Sequence, residues 1–183
     1  RDRGADRLSL LARVAALLQE RRIPFTVIGA VAMAVHGVSR STRDLDIFTI
    51  SADVLTPATW EPLQPAGVEV QIERGDAQDP LAGVARLRAP REHPIDVIVG
   101  KSPWQGGMLR RSRVAVIDGV DVPVATLADL IALKLYAGGP QDAWDIEQLL
   151  AGPERAAVIT EVEATLDTLP AECRRLWERI RGI

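Results

Sequence analysis

Only one cysteine, Cys173, occurs in 183 residues, which excludes an intrachain disulfide and any metal site built from cysteines alone. No apolar run approaches the roughly 18 residues that a membrane span needs, and no stretch has the build of a signal peptide. A cytoplasmic protein without a membrane partner is therefore expected. Lysine is nearly missing too: Lys101 and Lys134 are the only two, so either of them inside a motif carries information. A strong excess of one charge is also lacking. The net charge of -3 gives no global attraction to nucleic acid or anionic lipid, so any polyanion site must be local. There are no internal repeats, low-complexity segments or flexible linkers. What is plentiful is apolar surface: 47% of residues are hydrophobic against 26% charged, the balance of a folded globular chain with one ample core.

Residues 6–21 put Leu8, Leu11, Ala15 and Leu18 on one stripe, the spacing of an amphipathic helix, with Asp6 as its candidate N-cap. Pro24 ends that element. Residues 25–28 read as an apolar strand, 30–36 as a short helix of small residues, 38–43 as a loop, and 44–50 as a second strand. Pro57, Pro62 and Pro65 keep any helix over 53–65 short or broken. Alternation over 68–73 predicts a half-exposed strand, 75–80 a turn, 84–88 a further strand, and 95–99 a buried strand interrupted by Asp96. Residues 114–124 read as a hairpin turning at Asp118-Gly119. From Thr126 the pattern becomes helical: 127–137 is stopped by Gly138-Gly139-Pro140, and helices follow over 141–150, 154–166 and 171–180. The expected fold is α+β, a mixed sheet flanked by helices. Residues 1–125 would form the α/β core and 126–183 a helical segment packed on it.

The sharpest chemical feature is Asp44-Leu45-Asp46. Acids at i and i+2 of a strand point to one face. At such separations two carboxylates repel by about 2–3 kcal/mol at an effective dielectric near 20. A cation or solvent must relieve that strain. On 95–99 the odd positions are Ile, Val and Val, so Asp96 falls on the opposite face; if this strand lies beside the first acids, three carboxylates share one surface. Such an oxygen-only set suits Mg²⁺ or Mn²⁺ rather than zinc. An edge-strand acid facing water is the plain alternative for Asp96. The Gly29-Ala30 turn, opening a helix, offers backbone amides to an anion such as phosphate, although strand–Gly–helix turns are also common packing devices.

Ile28-Gly29-Ala30, then Asp44-Leu45-Asp46, then a later strand Asp96, form an ordered set that resembles the polymerase-β-type nucleotidyltransferase superfamily. The stretch His36-Gly37-Val38-Ser39-Arg40-Ser41-Thr42-Arg43-Asp44 is similar to the loop of small prokaryotic members, which include abortive-infection and toxin–antitoxin nucleotidyltransferases. So is the segment Leu130-Ile131-Ala132-Leu133-Lys134-Leu135, followed by Asp142 and Asp145. The resemblance covers residues 23–150 and implies a nucleotidyltransferase-like fold that moves a nucleoside monophosphate from an NTP to an acceptor. It further implies that Asp44, Asp46 and Asp96 hold Mg²⁺ or Mn²⁺, with Asp96 also serving as base. Gly29, Ala30, Arg40, Thr42 and Lys134 would contact the nucleotide, with Asp142 and Asp145 supporting Lys134 or capping their helix. A protein hydroxyl, a tRNA end or a small molecule such as an aminoglycoside would be the acceptor, and a cognate antitoxin or toxin protein a further partner.

One position departs from the pattern. The family has Gly or Ser where this chain has Ala30, which lacks a hydroxyl and tolerates positive φ less well than Gly. This keeps open a second function, a catalytically silent nucleotide-binding or regulatory module of a toxin–antitoxin-type system. A metal-dependent phosphohydrolase is a third, disfavoured by the order of the motifs. Arg40 and Thr42 read equally well as solvated residues, His36 as a structural loop anchor, and Lys101 as solvated. Trp104 reads as a packing aromatic before a base-stacking one, and Arg110, Arg111 and Arg113 as a solvated face before a nucleic-acid contact.

Overall fold

The structure, a computed structural model, describes residues 8–39 and 44–182. Helix α1, Leu10–Glu20, opens at Ser9, whose side chain accepts a hydrogen bond from the Ala12 N–H at 3.2 Å. The expected start at residue 6 is thus four residues early, and Leu8 is exposed rather than part of the buried stripe; Asp6 lies outside the described residues. Strand β1 (Thr26–Ile28) runs directly into α2 (Gly29–Val35), and β2 spans Leu45–Thr49, one residue shorter at each end than expected. The prolines act as anticipated: 52–66 breaks into two 3₁₀ turns around the four-residue α3, Pro57–Trp60.

Strands β3 (Glu69–Arg74), β4 (Leu81–Arg88) and β5 (Ile95–Gly100) follow. A helix that the sequence pattern did not predict, α4 (Gln105–Arg111), leads into the hairpin of β6 (Arg113–Ile117) and β7 (Val120–Val124). That hairpin turns at Asp118 and Gly119, with φ of 50° and 77°, the left-handed pair a two-residue turn requires. Helices α5 (Leu127–Ala137), α6 (Pro140–Leu150), α7 (Arg155–Thr165) and α8 (Ala171–Arg181) complete the chain. Gly138, at φ 70°, ends α5.

The seven strands form one mixed sheet in the order β3-β4-β5-β2-β1-β7-β6. β2 is antiparallel to β1 and parallel to β5, so the two acid-bearing strands are neighbours that run the same way. One contiguous hydrophobic cluster includes Leu18 of α1, Val27 and Val97 of the sheet, Ile131 of α5 and Trp177 of α8. Each such side chain contributes about 1.5–3 kcal/mol by leaving water. The fold is α+β with a mixed seven-stranded sheet and C-terminal helices, as expected. Among the described residues no helix is long and apolar enough to cross a membrane.

Candidate active site

The register of the sheet determines which side chains meet. Ile28 pairs with Asp46, Asp46 with Asp96, Asp96 with Arg86, and Arg86 with Gln71. One transverse row across five strands therefore carries both strand acids side by side with a guanidinium next to them. The odd residues of β5, Ile95, Val97 and Val99, are buried in the core, which turns Asp96 to the opposite, partly open face. Asp44 is exposed and lies one residue ahead of β2.

Gly29 opens α2 at φ +67°, a conformation that favours glycine. A Cβ placed there would lie 2.1 Å from the Asp46 Oδ2 atom. The missing side chain thus makes room for a carboxylate from the neighbouring strand. Ala30 is buried behind it.

Asp96 is not alone. Arg86 Nε donates to its Oδ2 at 3.4 Å, while Arg86 Nη1 donates to Glu73 Oε1 at 2.8 Å. All three side chains are part-exposed, so this chain of charges orients Asp96 more than it stabilises the fold. Sequence reading missed Arg86 and Glu73 as members of the site. Alternation on β4 does put Arg86 on the polar face with Val84 and Arg88, but only the strand order shows that this face adjoins Asp96.

The donor set of Asp44, Asp46 and Asp96 is all carboxylate oxygen, the chemistry that fits a hard divalent cation. Among the described residues, however, no three His, Cys, Asp or Glu side chains gather closely enough to hold a metal ion. Asp46 and Asp96 are neighbours, but Asp96 is turned to Arg86, which would have to yield for three carboxylates to converge.

Lys134, on α5, is mostly buried and held by two carboxylates of α6, Asp142 Oδ1 at 3.2 Å and Asp145 Oδ2 at 2.5 Å. Asp145 is fully buried and also accepts from Gln141 Nε2 at 3.4 Å. The other oxygen of Asp142, Oδ2, accepts the Gly139 N–H at 3.1 Å and so caps α6. Arg40 and Thr42 lie outside the described residues. His36 anchors the loop ahead of them, its Nε2 standing 2.8 Å from the Ala125 carbonyl oxygen where β7 passes into α5. Lys101 is exposed and donates to the Asp76 and Ala77 carbonyls at 2.9 and 3.2 Å, so it ties down a turn. Trp104 packs edge-to-face on Tyr136, with ring centroids 5.6 Å apart. Arg111 is bound by the buried carboxylate of Asp129, an ion pair that raises its pKa.

No family model matches the sequence, and no curated protein matches it. Solved structures do. The chain is similar to the antibiotic-resistance factor ANT(2'')-Ia in its solution structure, with 18% identity and a TM-score of 0.52 over 86% of this chain and 90% of that one. It is similar to the same factor in a crystal complex with adenylyl-2''-tobramycin, with 15% identity and a TM-score of 0.54 over 86% and 95%. A Thermotoga maritima protein provisionally described as a nucleotidyltransferase matches with 14% identity and a TM-score of 0.51 over 78% and 91%. At these identities the likeness shows the fold, which is nucleotidyltransferase-like.

Proposed function

We propose that the protein transfers a nucleoside monophosphate from an NTP to an acceptor hydroxyl. The observation that carries this is the cross-strand pairing of Asp46 with Asp96, with Asp46 seated against Gly29 at the mouth of α2. In this reading Asp44, Asp46 and Asp96 would hold Mg²⁺ or Mn²⁺, which when bound neutralises triphosphate charge and acidifies the acceptor hydroxyl. Asp96 accepts the acceptor's proton on a carboxylate oxygen, and Arg86 orients that carboxylate until substrate arrives. The backbone at Gly29 and Ala30 approaches the phosphates, and Arg40 and Thr42, read from the sequence motif as nucleotide contacts, would add a positive charge and a hydroxyl. Lys134, held by Asp142 and Asp145, would contact the nucleotide. Kinship with the abortive-infection and toxin–antitoxin enzymes, and with it a cognate protein partner, rests on the sequence motifs over 36–44 and 130–145 alone.

A second reading, a silent nucleotide-binding module, is favoured by two observations: Ala30 in place of Gly or Ser, and an Asp96 already engaged by Arg86. One experiment separates the two. The protein and its Asp44→Ala/Asp46→Ala variant are incubated with α-labelled NTPs, Mn²⁺ and three acceptor pools: protein extract, tRNA and aminoglycosides. Label transferred by the parent and lost in the variant supports the transferase. Nucleotide binding without transfer in any pool supports the silent module, and labelled nucleotide released without an acceptor would show a hydrolase instead.

A further inference from the structure

The sheet has two edges, β3 and β6, and they are built differently. The β3 edge exposes Glu69, Gln71 and Glu73 on one face, and charged side chains of this kind discourage a further strand from adding there. The β6 edge reads Arg113-Val114-Ala115-Val116-Ile117, with no charge between its first residue and its turn. Val114 and Val116 are 72% and 67% exposed, more than any other large hydrophobic residue described. An edge without charge is a template for pairing with another chain.

The backbone along that edge faces outward. In an antiparallel ladder, opposite residues alternate between exchanging both hydrogen bonds and exchanging none. Val114 stands opposite Pro123, which has no N–H, and the Pro123 carbonyl oxygen accepts the Thr26 hydroxyl of β1 at 3.4 Å. Val114 and Pro123 are therefore a non-bonded pair, and so are Val116 and Asp121, two residues on. The N–H and C=O groups of both valines point away from β7, and among the described residues no strand pairs with β6 on that side.

We propose that this edge pairs with the same edge of a second copy, β6 against β6, antiparallel about a two-fold axis at Ala115. The occupant is a second copy because the strand is complementary to itself. About that axis Val114 meets Val116 of the second copy and Val116 meets Val114, so each pair can exchange two N–H···O bonds. The valines of both copies then share the open face of the joined sheet. On the other face the two Ala115 side chains meet in a non-bonded pair, the closer kind, which suits a small residue. Moving the axis to Val114 or Val116 would set a valine against Ser112 or Asp118 instead. Charge agrees with the register. Arg113 begins the strand, while Asp118 and Asp121 lie at and just beyond its turn; all three are exposed and join no ion pair among the described residues. Antiparallel pairing lays the basic start of each copy beside the acidic turn of the other, twice by symmetry. Asp46 and Asp96 stay open, because β1 and β7 lie between their strands and this edge.

The test is sedimentation velocity over a concentration series. One short strand and its valines make a contact at the small end for protein interfaces, so the mass is expected to rise with concentration from that of one chain to that of two. Val114→Lys and Val116→Glu, both at exposed positions, should remain folded by circular dichroism, and each is expected to raise the dissociation constant at least about tenfold. Mixed together, the two variants are expected to associate more tightly than either does alone, because the Ala115 axis sets the introduced ammonium against the introduced carboxylate. A parent that stays a single chain at every concentration overturns the proposal and leaves the edge to a strand from another protein. Variants that dimerise like the parent overturn it too, as does a mixture that associates no better than its components.

Discussion

The Asp46 carboxylate occupies the space that a side chain on Gly29 would need: a Cβ there would come within 2.1 Å of Asp46 Oδ2. Gly29 sits at the end of β1 and Asp46 on β2, paired with Ile28, so the contact follows from the register of two antiparallel strands. Glycine is required twice over, once for its positive φ and once to admit a carboxylate beside the first turn of α2.

Gly29→Ala is accordingly expected to cost about 1–3 kcal/mol of stability, from a strained backbone and a displaced Asp46. Urea denaturation measures the loss. Nucleotidyl transfer should fall by more than the folded fraction does, because Asp46 moves even in molecules that fold. Ala30→Ser supplies a hydroxyl beside the first turn of α2 and is expected to tighten NTP binding.

Arg86→Ala should leave stability within about 1 kcal/mol, since the side chains it joins are part-exposed. Its effect should appear instead in the metal requirement. With Asp96 no longer shared with a guanidinium, the Mn²⁺ concentration for half-maximal transfer is expected to drop about two- to fivefold. An unchanged Mn²⁺ dependence would show that the ion pair does not compete with the cation. Asp96→Asn, by contrast, should abolish transfer while the protein remains folded by circular dichroism.

Lys134→Met removes the cation from a carboxylate, Asp145, that is fully buried. Breaking such a pair from one side costs about 3–5 kcal/mol. The double variant Lys134→Met/Asp145→Asn should recover part of that loss, because the fully buried carboxylate is then neutral and only the part-exposed Asp142 keeps its charge; a double-mutant cycle reads the coupling. Additive losses would mean that the two side chains do not act as a pair.

Cys173 is buried on α8, and burial pushes its thiol pKa up, with Glu172 adding to the effect. The thiol is therefore expected to resist iodoacetamide in the native protein and to react once urea is added. The sign of the pH dependence follows. Above the ordinary value near 9.0 the unfolded chain releases this proton while the folded chain keeps it, so stability declines as pH rises from there toward the higher folded pKa. Cys173→Ala should flatten that alkaline decline.

The sequence alone determined what depends on neighbours along the chain. Alternation over β3 and β5, the Asp118-Gly119 turn, the prolines across 52–66 and the Gly138-Gly139-Pro140 stop each act within a few residues, so periodicity and turn chemistry locate them. The polar-face position of Asp96 was legible for the same reason, whereas Asp44, read from the sequence as a strand residue on the face of Asp46, lies just ahead of β2. The tertiary structure decided what depends on strand order and on side chains reaching across elements. Placing β5 next to β2 brings Asp96 to Asp46, and placing β4 next to β5 brings Arg86 to Asp96. Several strand orders bury the same apolar faces equally well, so no local pattern selects among them. Helix α4 was hidden by its glycines, Gly106 and Gly107, beside which the guanidinium groups of Arg110 and Arg111 lie. Gly29 shows both levels together: its presence in a turn is written in the sequence, but that the space it leaves belongs to Asp46 is a fact of register.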